Sequence, residues 1–214
     1  MIKNYTLIIS NTSRSISYLQ NLKKNNLYPY KIIYLNDHSK NKYHKLLITN
    51  KFYFPNVKIK IFSSNVLDES ISTYILNEKI NNYVYSGYPG KIIKNLKILS
   101  KKNFIHCHPG RLPNYRGSTT IYYSVLKDRN IYCTTIILNK NVDCGKILFT
   151  KKYNLPKKIS DIDQKYDDLI RSKNLVYVIK NEKKLKKETQ KKTNTQPYYV
   201  IHPLLRSLVL NRMR

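Results

Sequence analysis

His106 and His108 close a short apolar run, Phe104-Ile105, and Pro109-Gly110 follows them directly. On a strand, residues i and i+2 lie on the same face. Imidazole titrates nearer neutrality than any other side chain, so either ring is a candidate general acid, general base or hydrogen-bond donor to an oxyanion. Farther on, Val142-Asp143-Cys144-Gly145 sets a carboxylate in a turn after a second apolar run. Asp143 can orient one of the imidazoles or stabilise its charge. Arg116, in Tyr115-Arg116-Gly117, either binds an anionic group or braces its own loop. Imidazoles and a carboxylate at strand ends are what proton transfer needs, and loops held by a rigid sheet are where such groups usually sit. A single strand-end histidine is more often structural; two on one face beside a Pro-Gly turn favour chemistry.

The elements that must carry these residues follow from the apolar pattern. Strands are expected at Thr6–Ser10, Tyr30–Leu35, Val57–Phe62, Tyr83–Tyr85 and Asn103–Cys107, with helices between them at Arg14–Lys24, Lys40–Ile48, Asp68–Ile80 and Lys91–Leu99. Strands alternating with helices read as βαβ units in a mainly parallel sheet. A helix over Ser118–Lys127 is expected next, with Ser118 as its N-cap. Cys133–Leu138 and Lys146–Tyr153, separated by the Asp143 turn, suit an antiparallel pair. An amphipathic helix is expected from Ser160-Asp161 to Val178, then a Lys-rich polar segment from Asn181 to Thr195, then a final strand over Tyr198–Pro203. The fold class is therefore α/β: an open, mainly parallel twisted sheet flanked by helices, Rossmann-like, with an antiparallel strand pair and a short C-terminal extension. Residues 1–180 form the expected catalytic domain, and residues 181–214 a basic segment packed on it. The first strand-to-helix turn has no glycine, and neither GxGxxG nor GxxxxGK[ST] occurs, so nucleotide-loop readings have no motif behind them.

Composition bounds the alternatives. The 214 residues carry 40 Lys+Arg against 12 Asp+Glu, a net charge of +28. Such a balance attracts phosphates and nucleic acid. Yet Lys, Asn, Ile and 20 Tyr rise together with no Trp, as an AT-rich coding bias would give, and the lysines are scattered instead of forming a stripe interleaved with aromatics. Nucleic acid is thus a disfavoured partner. The three cysteines, Cys107, Cys133 and Cys144, are widely spaced and include no CxxC pair. That argues against a disulfide framework and fits a reducing compartment; small apolar fillers near strand ends are favoured over metal ligands or a thiol nucleophile, so no metal is expected. No apolar run is long enough to span a membrane, and the N-terminus lacks a signal-peptide pattern. A cytoplasmic protein without membrane contact is the expectation.

At two segments the chain resembles the folate-dependent formyltransferases, the family of glycinamide ribonucleotide, methionyl-tRNA and nucleotide-sugar formyltransferases. The first is His108-Pro109-Gly110-Arg111-Leu112-Pro113-Asn114-Tyr115-Arg116-Gly117, and the second is Val142-Asp143-Cys144-Gly145-Lys146-Ile147-Leu148. Ser86-Gly87-Tyr88 is similar to the Ala-Gly-aromatic strand end that lines the family's folate pocket. The resemblance implies formyl transfer from 10-formyltetrahydrofolate to a primary amine, with His108 and Asp143 as catalytic residues. It implies a cofactor pocket built from Ser86, Gly87, Tyr88, Pro89, Val142 and Asp143. Arg116, Tyr115 and Ser118 fall where acceptor contacts are expected. One position departs: His106 stands where the family has an asparagine that donates to the oxyanion. An imidazole can replace that donor only in the right tautomer or as imidazolium. A cationic His106 is the expectation, with a rate tied to a titration near neutrality.

The stretch after Tyr153 is short for the extra domain of the tRNA enzymes, which favours a small acceptor, most plausibly a nucleotide-linked amino sugar of surface-polysaccharide or secondary pathways. A homodimer is compatible with this reading. Two other readings stay open: a basic nucleic-acid-binding protein on a degenerate transferase fold, and a hydrolase that releases formate from the same cofactor.

Overall fold

The computed structural model describes residues 4–39, 41–49, 54–156, 162–191, 193 and 195–212, apart from the side chains of Asp163, Gln164 and Arg212. Seven strands form one sheet: β1 (Tyr5–Ser10), β2 (Lys31–Leu35), β3 (Lys58–Phe62), β4 (Asn82–Tyr85), β5 (Asn103–His108), β6 (Ile131–Ile137) and β7 (Lys146–Tyr153). Their order is β3-β2-β1-β4-β5-β6-β7. Neighbours from β3 through β5 run parallel; β5–β6 and β6–β7 are antiparallel. This is the expected α/β sheet with its antiparallel pair. Every residue of β1 is buried, as a strand covered on both faces by helices must be.

Helices are α1 (Ser13–Lys24), α2 (Lys42–Ile48), α3 (Glu69–Asn77), α4 (Leu96–Lys101), α5 (Thr120–Asp128), α6 (Asp167–Asn181) and α7 (Pro203–Arg212). Their starts follow local capping chemistry. The Thr12 hydroxyl accepts from Ser15 N, and the Asn41, Asp68 and Asn95 side chains accept from the first-turn amides of α2, α3 and α4. Asn95 corrects one expectation: the helix expected from Lys91 starts only at Leu96, because the Asn95 side chain takes both Lys97 N and Ile98 N. Residues 91–95 are loop, with Ile93 buried beneath it. Ser118 is likewise not the cap of α5. Thr119 holds that position, and the Ser118 amide is committed to the Tyr198 carbonyl.

Two apolar clusters sandwich the sheet. One gathers Ile105, Cys107 and Cys133 with α1 and α6 through Leu19, Leu22, Leu175 and Val178. The other gathers Tyr83, Tyr85 and Phe104 with Ile71, Ile75, Ile93 and Ile98. Asn174 pins α6 to the sheet: its Nδ2 donates to Cys133 O at 2.9 Å and Thr135 Oγ1 at 3.2 Å, and its Oδ1 accepts from Tyr153 Oη at 2.9 Å.

The C-terminal end departs from expectation. The expected helix start, Ser160-Asp161, lies outside the described residues; a π-type turn over Ile162–Tyr166 leads into α6. No strand spans Tyr198–Pro203. Tyr198 makes an isolated bridge to Gly117, and α7 begins at Pro203. Proline suits a first helical turn, where its missing N–H costs nothing. The polar segment is not merely solvated either, since Glu188 pairs with Ile147 through both backbone groups.

Because Asn174 is fully buried, Asn174→Ala leaves the Cys133 carbonyl and the Tyr153 hydroxyl without this partner. A loss of about 2–3 kcal/mol is expected in urea unfolding. A loss below about 0.5 kcal/mol would show that α6 docks by apolar contact alone.

Candidate active site

The ends of β4 and β5 and the β6–β7 turn form a cleft of about 110 Å³ that opens to solvent. Its walls are Tyr85, Ile93, Leu99 and Leu138; its floor includes His106 and Asp143; Asn139 to Val142 form one lip and Lys91 and Ile92 the other. Its lining of aromatic and aliphatic side chains with several polar groups suits a flat heterocyclic ligand,.

Asp143 occupies the left-handed region at φ +53°, a conformation aspartate tolerates better than most residues. That turn aims its carboxylate inward. Oδ2 accepts from Gly117 N at 2.8 Å and lies 3.4 Å from His108 Nδ1. Gly117 itself needs to be glycine: its φ is +101°, and a Cβ there would stand 2.2 Å from Tyr198 O. Burial alone would raise the Asp143 pKa, but the facing His108 ring and the Gly117 amide outweigh it and hold the carboxyl below its ordinary value,.

His108 lies behind this carboxylate. It is 2% exposed and does not line the cleft. Nε2 is 2.6 Å from Tyr115 O and 3.2 Å from Thr120 Oγ1, while the Thr120 hydroxyl donates to Pro109 O. Both Nε2 partners therefore accept, so Nε2 keeps its hydrogen. Any proton the ring exchanges must pass at Nδ1, through Asp143.

His106 faces the cleft. Its Nδ1 is 3.3 Å from Tyr85 O, and a carbonyl can only accept, so Nδ1 carries the hydrogen. Burial first, then the cationic Arg14 and Arg171, lower its pKa from 6.5 to about 3. The expected cationic His106 is thus corrected: the ring is neutral at physiological pH, and its Nε2 bears a lone pair. It cannot donate to an oxyanion as the family's asparagine would. Arg171, on α6, donates from Nη1 to Cys107 O at 2.9 Å and from Nε to Asp167 at 2.8 Å. Arg14, on α1, donates from Nε to Ser86 Oγ at 3.2 Å and from Nη2 to Gly87 O. Burial, reinforced by two fixed cations behind the strand ends, keeps a third from forming.

The remaining expected site residues divide. Val142 and Asp143 line the cleft; Ser86, Gly87, Tyr88 and Pro89 do not. The Tyr85 side chain crosses over Gly87, where a Cβ would come within 2.2 Å of its hydroxyl, so Tyr85 supplies the wall in their place. Ser86 serves Arg14 and Ser15, and the Tyr88 hydroxyl donates to Leu35 O and accepts from Asn11 N and Asp37 N, tying strand ends together. Tyr115 turns away and donates to Asp128 Oδ2 at 2.6 Å. Arg116 braces its loop: Nη1 donates to Cys144 Sγ at 2.8 Å and Nη2 to Thr195 O. Tyr85, Ile93, Leu138 and Arg14 were not singled out from sequence. The alternation of Tyr83 and Tyr85 on β4 was the available signal for one wall.

The chain has the fold of the formyltransferases. Over 98% of its length it superimposes on 87% of a sugar N-formyltransferase from a Shewanella species, with TM-score 0.65 and 19% identity. A phosphoribosylglycinamide formyltransferase from Anaplasma phagocytophilum matches at TM-score 0.61 and 16% identity, over 94% of this chain and 98% of that one. An N-formyltransferase from Helicobacter canadensis, solved with folinic acid and dTDP-3-aminofucose, matches at TM-score 0.58 and 14% identity, over 93% and 71%. No family model matches the chain, and no curated protein matches it in sequence.

The His106 assignment has a measurable sign. The unfolded ring takes up a proton as pH falls below 6.5, whereas the folded ring stays neutral down to about 3. The folded state therefore binds fewer protons in that window, and stability falls as pH drops through it. His106→Asn is expected to flatten this part of the urea-midpoint profile. In the wild-type chain the His106 ring carbon resonances should stay at neutral positions from about pH 8 to pH 5; an imidazolium spectrum at pH 6 would refute the assignment.

Proposed function

We propose that this protein transfers a formyl group from 10-formyltetrahydrofolate to a primary amine of a small, nucleotide-linked acceptor, an amino sugar nucleotide. The observation that carries the reading is the Asp143 carboxylate, which lines a cleft of mixed apolar and polar side chains on one side and is backed by His108 and the Gly117 amide on the other. The formyltransferase fold supports it, as does the nucleotide-linked amino sugar present in one protein of that fold.

The residues fit the formyl donor. The cleft offers Tyr85, Ile93, Leu99 and Leu138 to a flat ring system and the Asn139–Val142 lip for polar edges. When bound, the donor supplies an activated formyl carbon, whose attack by a neutral amine builds negative charge on oxygen and leaves a surplus proton on nitrogen. Asp143, ionised and lining the cleft, is placed to take that proton and to return it to the donor nitrogen as the bond between that nitrogen and the formyl carbon breaks and tetrahydrofolate leaves. His108 stabilises the carboxylate from behind and shares its proton through Nδ1. His106, with a bare Nε2, accepts an N–H hydrogen bond from the incoming amine and so orients its lone pair. The positive field of Arg14 and Arg171, felt strongly at the His106 ring, favours the negative charge that develops nearby.

The test is incubation with 10-formyltetrahydrofolate and a panel of amino sugar nucleotides, reading tetrahydrofolate release and the formylated product. Asp143→Asn and His108→Ala should each lower kcat by at least about 100-fold. His106→Asn keeps an acceptor and adds a donor, so it should retain or exceed the wild-type rate. Because His106 does not titrate there, kcat should show no His106-dependent inflection between about pH 5.5 and 8. Formate release without any amine would instead support a hydrolase, with water held by His106.

A further inference from the structure

Beyond α6 and the turn Glu182–Lys184, the described residues 185–191, 193 and 195–201 form a strap that meets β7, the Asp143 turn and the Gly117 loop. Along this strap, Glu188 joins β7 by pairing with Ile147 (2.8 and 2.9 Å). Two residues on, Gln190 Nε2 donates to Asp143 O at 2.8 Å and to Gly145 O at 2.7 Å. Since both partners are carbonyls, the amide can face only one way. Its Oε1 is then buried with no hydrogen-bond partner among the described residues, which costs stability. Farther along the chain, the Thr195 carbonyl accepts from Arg116, and Tyr198 exchanges backbone hydrogen bonds with Arg116 O (2.7 Å) and Ser118 N (2.8 Å). The Tyr198 ring stacks on Tyr123 at 4.3 Å and Tyr115 at 5.9 Å.

The strap therefore contacts both of the loops that the Gly117 N–Asp143 Oδ2 and Arg116 Nη1–Cys144 Sγ hydrogen bonds join. One loop is held at Gln190, the other at Tyr198. Asp143 sits at positive φ, and its carbonyl is the atom that Gln190 fixes. Rotation of that peptide would swing the carboxylate away from His108 and Gly117.

We infer that Gln190 is a positioning residue for the reaction, its side-chain amide locking the left-handed turn that aims the Asp143 carboxylate at His108, Gly117 and the cleft. The inference rests on Asp143 being the proton-handling group, but its geometric core can be read without turnover.

The experiment compares wild type with Gln190→Met, which keeps the volume and removes both hydrogen bonds, and Gln190→Glu, which sets a carboxylate against two carbonyls. Carbon-13 NMR of labelled aspartate follows the Asp143 titration in each. Release of the turn weakens the His108 and Gly117 contacts, so the midpoint should rise in both variants, with folding checked by circular dichroism. In turnover, kcat should fall about 10- to 100-fold, the acid limb of its pH profile should move up with the NMR midpoint, and KM for the donor should change less than about 3-fold. An Asp143 midpoint unchanged in a folded variant would overturn the inference, as would a fall in kcat with an unmoved acid limb. A wild-type chain inactive toward every amine, yet with a midpoint that shifts in Gln190→Met, would sink the proposed reaction and leave the positioning role standing. Tyr198→Phe, which keeps the aromatic stack and removes only the contact from Lys127, should leave the midpoint where it is.

Discussion

The structure of the site depends on one hydrogen bond, from Gly117 N to Asp143 Oδ2. It joins the loop after β5 to the turn between β6 and β7, beside the Arg116 Nη1–Cys144 Sγ hydrogen bond that links the same two segments. His108 acquires a charged neighbour only because that bond holds the carboxylate in place. The glycine is required by its φ and by the close approach of Tyr198. Gly145 is required at the other end, since a Cβ there would meet Ile137 O at 1.7 Å. The two glycines let three stretches of backbone converge where a side chain would keep them apart.

Around this contact the protein keeps its buried charges separate and partnered. Burial opposes charge on Arg171, but Asp167 more than offsets it and raises the guanidinium pKa. Arg14 feels burial and then repulsion from Arg171, which together lower its pKa, while its donors are spent on Ser86 and Gly87. Asp168, beside them, is pushed up to about 6 chiefly by burial, with one oxygen lacking a partner among the described residues. Cations fixed by the scaffold thus set the potential at the strand ends, and His106 answers by staying neutral. The +28 net charge plays little part in this local balance; a few desolvated groups outweigh many solvated lysines.

Much of the fold was legible in the sequence. Every expected strand through Tyr153 lies within a few residues of an observed one, because β1 is a continuous apolar run, the edge strand β3 alternates apolar residues with lysine, and the capping residues are local signals. The failures were also physical. Lys91–Leu99 has helical apolar spacing, yet the Asn95 cap and the burial of Ile93 under a loop decide otherwise. Tyr198–Pro203 reads as a strand by composition, but β-structure needs a partner along its length, and only Tyr198 finds one. The sequence shows a Ser-Gly-Tyr turn but not the Tyr85 ring folding back across the glycine to line the cleft.

By itself the sequence determined which groups are available: two imidazoles on one strand face, a carboxylate in a turn, an arginine loop, and the α/β order that brings strand ends together. Tertiary structure decided what each group does. It put Asp143 in front of His108, spent Arg116 on Cys144 and Thr195, fixed His106 in the tautomer that accepts, and drew a polar tail into the site through Gln190. These outcomes rest on which carbonyl, cation or amide lies within hydrogen-bonding or Coulombic range, and such neighbours come from segments tens of residues apart that no local pattern encodes.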